Sequence, residues 1–198
     1  VYAAALLDFE IEWLWPQESA SLCACRITPQ MLEAALDALP EPPAAVYITS
    51  PDYLGGLADI RGMAEVCRRH DTILAVDNAH GAYLHFLPEP LHPLDLGAAI
   101  CCDSAHKTLP VLTGGAYLHI GDGIAEDCAA QAKQALALFG STSPSYLTLA
   151  SLDNCNRYLA EGYRQALAKC AGRISALKAR LRDRGWQLEA SDPLRLTR

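Results

Sequence analysis

The chain has 198 residues, of which 51% are hydrophobic and 20% are charged, and its formal net charge is −7 at pH 7. This length and apolar content suit one compact domain with a substantial core. The negative charge argues against nucleic acid or an anionic membrane as the main partner, since both attract basic surfaces.

The eight cysteines do not predict a disulfide framework. Most of them lie among apolar residues, as small buried side chains do in a reducing compartment. The sequence contains no C-x-x-C pair, so it does not predict a zinc ribbon or a thioredoxin-type site. The first residues show no basic leader, and no apolar run is long enough to span a bilayer. The sequence therefore predicts a cytoplasmic protein with no membrane partner.

The first half of the chain predicts alternating strands and helices. Residues 1–27 alternate between apolar runs and polar breaks, which predicts one or two strands. Thr28 and Pro29 then mark the start of a helix, as N-cap and first helical residue, and the proline-rich run 40–43 ends it. Residues 44–50 predict a strand, and residues 57–70 predict a helix because their apolar positions recur at helical spacing.

Two continuous apolar runs, at 72–77 and 97–102, are typical of strands covered on both faces. Strand, helix and strand at this spacing predict parallel βαβ construction. A fourth strand is predicted over 114–121. It should run antiparallel to the third, because the connection between them is short for a helical crossover. The predicted fold class is therefore α/β with a mostly parallel sheet.

The last third of the chain predicts helices. One covers 124–139, and after the polar segment 141–144 a long helix runs to about Arg184, weakened but not ended by Gly162 and Gly172. Gly185 ends this helix, and residues 186–190 predict a strand. That strand would begin a further unit.

Polar clusters follow three of the predicted strands, at residues 50–53, 77–81 and 103–107. Ligands of open α/β sheets bind beyond the carboxyl ends of the strands, so we expect the three clusters to converge. The first cluster, with Asp52 and Tyr53, is also consistent with a routine turn. The simpler interpretation of the third is a polar loop that caps a strand.

The residue types at these strand ends favour one cofactor. A lysine beside a histidine, as at Lys107, can form a Schiff base. An aspartate that ends an apolar strand, as Asp77 does, needs a cation or strong donors. Ser104 and His106 could hold a phosphate. A Schiff-base lysine, an aspartate for a pyridinium nitrogen and a phosphate cup are what pyridoxal phosphate requires.

A metal site is not predicted. Four histidines, with nearby aspartates, invite that interpretation, but their spacing matches no metal motif; they are His80, His85, His92 and His106. His85 and His119 are interpreted as ordinary strand or loop residues.

Four segments closely resemble the Orn/Lys/Arg decarboxylase family in collinear order: ITSPDYLGGLADI, ILAVDNAHGAYLHF, DSAHKTLPVLTGGAYLHI and STSPSYLTLASLD. The family consists of fold-type I pyridoxal-phosphate enzymes that act on basic amino acids. The resemblance implies a three-layer α/β/α large domain with a mostly parallel sheet. Residues 1–184 would form that domain without its N-terminal part, and residues 185–198 would begin a C-terminal small domain.

The resemblance also implies roles for individual residues. Lys107 would be the Schiff-base lysine and Asp77 the partner of the pyridine nitrogen. Ala79 would lie against one face of the ring, and His80 near its reactive side. Asn78 stands where the family usually has an acidic residue, and its side chain need not touch the cofactor.

Further contacts with the cofactor are implied for Ser104 and His106. Ser141 or Thr142 would reach the phosphate site of a neighbouring subunit, as expected of a homodimer or a higher homo-oligomer. Either residue could instead be the N-cap of the following helix.

The activity implied by the resemblance is decarboxylation of a small basic amino acid, lysine, arginine or ornithine, to a di- or polyamine. One alternative is another reaction of the same cofactor, such as aminotransfer or carbon–carbon lyase chemistry. The other is a truncated, non-catalytic domain that acts only in assembly.

Overall fold

The computed structural model of the protein describes residues 2–16, 26–122, 124, 126–188 and 191–197. Its centre is a four-stranded sheet in the order β1 (Ala45–Thr49), β2 (Ile73–Asp77), β3 (Ile100–Asp103) and β4 (Tyr117–Ile120). The first three strands are parallel, and β4 is antiparallel to β3. The predicted parallel units and the predicted direction of the fourth strand are therefore confirmed.

The described helices, in chain order, are α1 (Tyr2–Leu7), α2 (Pro29–Asp37), α3 (Ile60–Arg69), α4 (Ala105–Thr108), α5 (Glu126–Phe139), α6 (Tyr146–Glu161) and α7 (Tyr163–Arg182). A short 3-10 turn covers Leu84–Phe86. Helix α2 begins as predicted, because Thr28 Oγ1 accepts a hydrogen bond from the Met31 backbone N–H at 3.3 Å and Pro29 follows it.

Two apolar clusters form the core. The first joins α2 and α3 to β1 and β2 around Leu32, Met63 and Leu74, which are almost completely buried. The second joins the segment after β2 to α4, α6 and α7 around Tyr83 and Ala105. Helices thus bury the apolar side chains of a mostly parallel sheet, which confirms the α/β class.

Two predictions differ from the structure in the described residues. Residues 2–7 form a helix rather than a strand, because alanine and leucine favour helix there. No strand occurs in residues 8–16 or 26–27, and residues 17–25 lie outside the described residues. The predicted long helix is divided at Gly162 into α6 and α7, whereas Gly172 lies within α7 as expected.

The predicted strand over 186–190 is also absent from its described residues, 186–188. The Trp186 backbone N–H donates to the Leu181 carbonyl at 3.1 Å, and Gly185 adopts a φ of 84°. These two residues therefore terminate α7 in the manner typical of helix C-termini. Residues 189–190 lie outside the described residues.

Residues 191–197 lie against the turn that follows β1. Four hydrogen bonds, of 2.7–2.9 Å, connect the two segments; they join Ser191 to Leu57, Asp192 to Gly55, Arg195 to Tyr53 and Thr197 to Leu54. Asp192 is also fully buried and accepts the Tyr83 hydroxyl. This segment is therefore part of the edge of the sheet where the first polar cluster lies.

The six described cysteines, among them buried Cys67, Cys101 and Cys155, are free thiols. Within the described part of the chain, no helix combines the length and the apolar character that crossing a membrane requires.

Candidate active site

The residues that follow β1, β2 and β3 lie side by side. The Ser50 backbone N–H donates to the Asp77 carbonyl at 3.0 Å, and the Asn78 backbone N–H donates to the Cys102 carbonyl at 2.9 Å. These bonds extend the parallel ladder by one residue past the strands. The expected convergence of the three polar clusters at one edge of the sheet is therefore present.

Lys107 and His80 are in contact at this edge. Lys107 lies in α4, directly after β3, and its Nζ is 3.3 Å from His80 Nε2. Among the described residues, no carboxylate lies within ion-pair distance of the Lys107 ammonium. Lys107 is exposed, so its amine is open to a small electrophile from solvent.

His80 has an environment that favours the neutral imidazole. Burial lowers its pKa, and the positive charges of Arg195 and Lys107 lower it further, while Asp77 acts in the opposite direction. A neutral ring can accept a hydrogen bond from the Lys107 ammonium at Nε2. The pair can therefore share one proton between a lysine amine and an imidazole.

Asp77 ends β2, and three donors contact its carboxylate, one of which is the Cys102 thiol at 4.0 Å from Oδ1. Its Oδ1 accepts the Ala79 backbone N–H at 3.0 Å, and its Oδ2 accepts the Tyr47 hydroxyl at 3.3 Å. Burial, together with the charge of Asp77, raises the pKa of Tyr47 to about 12. Tyr47 therefore stays a hydroxyl donor across the physiological range.

Sequence reasoning missed Tyr47. The signal was strand periodicity: Thr49 is the partner of Asp77 in the β1–β2 register, and Tyr47, two residues earlier, has its side chain on the same face. A tyrosine at that diagonal position can reach across to the carboxylate.

Ser104 is the N-cap residue of α4, and His106 lies in the first turn of that helix. The Ser104 carbonyl accepts the Lys107 backbone N–H at 3.0 Å, which fixes the backbone of the lysine. His106 Nδ1 donates to the Gly115 carbonyl at 3.0 Å, which leaves Nε2 as the ring atom available to a ligand. Both residues are half-buried at the sheet edge, close in sequence to Lys107.

Ser141 and Thr142 are exposed, and no described contact joins them to Lys107 or Asp77. The Ser141 hydroxyl accepts the Ser143 backbone N–H at 3.1 Å. The N-cap of α6 is Ser145, so the alternative interpretation of Ser141 or Thr142 as that cap is wrong.

The first polar cluster contains the turn that the sequence indicated. Asp52 Oδ1 accepts the backbone N–H groups of Leu54 and Gly56 at 2.9 and 2.7 Å. Exposed Tyr53 lies at the rim, where its ring centroid is 6.1 Å from that of His80. Tyr53 therefore borders the site, although the sequence did not select it.

The opposite face of the sheet carries a buried polar cluster. Asp103 Oδ2 lies 3.1 Å from His92 Nε2 and 3.0 Å from His119 Nε2. His119 is a residue of β4, as interpreted from the sequence, and its side chain also contacts this buried carboxylate. No described contact joins either histidine to Lys107, because Asp103 faces the side of the sheet opposite to Cys102, which is the register partner of Asp77.

The family model described as "Orn/Lys/Arg decarboxylase, major domain" matches residues 13–198. An arginine decarboxylase from Bacillus subtilis (strain 168) is 36% identical over 161 residues, which are 80% of this chain and 32% of that protein. An arginine decarboxylase from Halalkalibacterium halodurans is 34% identical over 142 residues, 71% of this chain and 28% of its own length. The chain thus spans about a third of the length of these relatives.

Among solved structures, one described as SPT with PLP shares the fold. Its TM-score is 0.66, with 18% identity over 84% of this chain and 42% of the solved chain. At this identity the similarity shows the architecture, a fold-type I α/β domain, and not the chemistry.

Proposed function

This chain belongs to the Orn/Lys/Arg decarboxylase family, and from that premise we propose that it forms the central part of a pyridoxal-phosphate-dependent decarboxylase of a basic amino acid. Lysine, arginine and ornithine are the candidate substrates, and the products would be di- or polyamines. Arginine is the first to test, because both relatives described above are named arginine decarboxylase. The observation that carries the proposal is the contact between Lys107 and His80 beside Asp77.

The donor set at the sheet edge fits this cofactor. Lys107 offers a primary amine that no described carboxylate pairs, which is what Schiff-base formation with an aldehyde needs. Asp77 offers a carboxylate whose direction is fixed by Tyr47 and Ala79, which suits a protonated ring nitrogen.

The other proposed contacts surround these two groups. Ala79 would touch the ring face, His80 its reactive side, and Ser104 and His106 the phosphate or the ring substituents. Ser141 or Thr142 would contact the cofactor of a second subunit, which is consistent with their exposure and with the lack of any described contact between them and Lys107 or Asp77. A homodimer or a higher homo-oligomer is therefore part of the proposal.

The chain's own residues would divide the work as follows. Asp77 would keep a proton on the ring nitrogen, and Tyr47 would hold Asp77 in place by its hydroxyl. His80, kept neutral by burial, would accept or return a proton at Lys107 Nζ. When bound, pyridoxal phosphate supplies the electron sink that loss of carbon dioxide requires.

We also propose a domain assignment and a cellular location. Residues 1–184 would belong to the cofactor-binding domain, and residues 185–198 would begin the next one. The free thiols of the described cysteines support a reducing, cytoplasmic location.

The test is an assay of the protein that carries this sequence, with pyridoxal phosphate and each of arginine, lysine and ornithine. We expect release of carbon dioxide together with the matching amine from at least one of them. Transfer of the amino group to a 2-oxo acid without carbon dioxide would favour the aminotransferase alternative. Neither reaction, together with no cofactor on Lys107, would favour a role in assembly only.

A further inference from the structure

Asp103 has a set of donors that fills both oxygens of its buried carboxylate. Its Oδ2 accepts from His92 and His119, and its Oδ1 accepts from Asn78 Nδ2 at 2.7 Å and from the Cys101 thiol at 3.4 Å. Only 3% of Asp103 is exposed. Burial by itself would raise its pKa, but the hydrogen bonds from His119, His92 and Asn78 hold that pKa well below the usual range. The carboxylate is therefore ionised.

The same three side chains, His92, Asp103 and His119, have the atom types and the mutual distances of a metal site. The environment of His92 favours hydrogen bonding instead. The Leu94 backbone N–H donates to His92 Nδ1 at 3.3 Å, so Nδ1 is the acceptor and Nε2 carries the proton that points to Asp103. Metal ligation through Nε2 would require a proton on Nδ1, facing the Leu94 N–H.

The cluster that Asp103 forms with its four donors connects the chain segments that carry Asp77 and Lys107. Asn78 directly follows Asp77, and its buried amide reaches from the end of β2 to Asp103 at the end of β3. Asp103 is followed by Ser104 and the short helix that contains Lys107. Through His119 the cluster also includes β4, and through His92 it includes the segment that connects β2 to β3.

We propose that Asp103 is a positioning residue: by binding Asn78, His92 and His119 on the face of the sheet opposite the site, it fixes Lys107 relative to Asp77. This inference rests on the proposed cofactor roles of those two residues. An ionised carboxylate with charge-assisted hydrogen bonds to three segments is stiffer than neutral pairs would be. It also explains why the chain buries a charge in the layer beneath the site.

The first arm of the test uses the cofactor-free chain and compares Asp103→Asn with Asp95→Asn. Asp95 forms a 2.8 Å pair with His85 that lies outside the cluster, which makes it a matched control. Hydrogen exchange of the Asn78 and Lys107 backbone amides should be about 10-fold faster in Asp103→Asn and unchanged in Asp95→Asn. Equal exchange in both variants and the wild type would overturn the inference.

The second arm uses the complete enzyme loaded with pyridoxal phosphate. The pH at which the absorbance of the bound cofactor changes should shift by about half a unit or more in Asp103→Asn. The remote core variant Leu36→Ala, which lowers stability without touching the cluster, should not shift it. If the two variants behave alike, Asp103 is merely structural.

The test also provides for a variant that does not fold, for a metal site and for failure of cofactor binding. If Asp103→Asn does not fold, His119→Ala replaces it, since that side chain is 35% exposed and its loss leaves the other donors in place. Added Zn²⁺ that raises the melting temperature of the wild type but not of Asp103→Asn would overturn the inference in favour of a metal site. Failure of the wild-type complete enzyme to carry cofactor on Lys107 would instead defeat the proposed function, whatever the exchange data show.

Discussion

Lys107 Nζ lies 3.3 Å from His80 Nε2, although 27 residues separate the two in the chain. The contact exists because β2 and β3 are parallel neighbours, so the loops after their carboxyl ends begin at the same edge of the sheet. The neutral imidazole of His80 is the only described side-chain partner of Lys107, so the lysine amine is not held in an ion pair and can react with an aldehyde.

The first prediction concerns Lys107. Borohydride reduction of the complete enzyme in the presence of pyridoxal phosphate should attach the cofactor to Lys107, and Lys107→Ala should abolish that labelling. The control is Lys169→Ala, since Lys169 is exposed on α7 and should not matter. Peptide mass spectrometry gives the position, and an adduct on Lys169 or Lys178 would show that the assignment is wrong.

The second prediction concerns Asp77. Asp77→Asn should fold nearly normally, because the amide oxygen can still accept from the Ala79 N–H and the amide NH2 can donate to the Tyr47 hydroxyl oxygen. Decarboxylation in the complete enzyme should fall by about 100-fold or more, since a neutral pyridine ring is a poor electron sink. Circular dichroism checks that the variant is folded, and carbon dioxide release measures its rate of decarboxylation. Near-normal turnover would mean that Asp77 has only a structural role.

A related change, Tyr47→Phe, removes the hydrogen bond that Oδ2 of Asp77 accepts from the tyrosine hydroxyl. We expect a smaller loss of turnover, roughly 10-fold, because the Ala79 N–H still orients the carboxylate. Cofactor labelling at Lys107 should persist. A loss as large as that of Asp77→Asn would contradict a merely supporting role for the tyrosine.

The third prediction is a pH dependence of stability. The folded pKa of Asp103 is below its unfolded value, so folding favours the ionised form. Its contribution is complete above about pH 4, the ordinary carboxyl range, and is lost as the pH falls through the folded pKa. The titratable side chains that face Asp103 are His92, His119 and the Cys101 thiol.

Asp103→Asn should therefore lower the free energy of unfolding at pH 7 by about 2–3 kcal/mol. The difference from the wild type should shrink only below about pH 4. Urea unfolding at a series of pH values measures both chains. A difference that already disappears between pH 7 and 5 would show that the charge of Asp103 is not what stabilises the cluster.

The fourth prediction concerns exposed apolar side chains. Tyr146 is 87% exposed and Leu147 74%, and Leu138, at the end of α5, is 76% exposed. Apolar surface of this kind drives association, so we expect the 198-residue chain by itself to associate. We also expect this chain by itself to bind pyridoxal phosphate weakly or not at all. Light scattering and a cofactor absorbance titration check the two parts. A monomer with tight cofactor binding would contradict both.

A matched pair of variants locates the associating surface. Leu138→Glu with Leu147→Glu should reduce light scattering, because charges on both helices repel a second copy. Lys169→Glu, an exposed change on α7, should leave the scattering as it is in the wild type. If both variants scatter equally, the surface formed by α5 and α6 is not responsible.

The sheet could be predicted from sequence because β1, β2 and β3 are apolar runs bounded by turns, and a short connection dictates the direction of β4. The convergence of Asp77 and Lys107 followed from parallel strands. Gly162 shows the limit of such reasoning. Whether a glycine interrupts a helix depends on what each half buries, and here α6 buries Cys155 while α7 buries Tyr163 and Leu167.

The cluster around Asp103 was beyond sequence reasoning for a different reason. His92 and His119 come from separate segments, and their side chains meet Asp103 only because β4 pairs with β3 in one register, with His119 opposite Cys101. Periodicity predicts that a residue faces inward but not which partner it will meet there.

The hydrogen bonds between residues 191–197 and the turn after β1 bear on how the molecule folds. They join residues that lie 134–143 positions apart, and loops of that length are slow to close. During synthesis the turn at 53–57 leaves the ribosome long before its partners do, since chains grow at about 5–20 residues per second. We therefore expect the rim beside Tyr53 and His80 to be the last part of the sheet edge to gain protection, after the strands themselves have assembled.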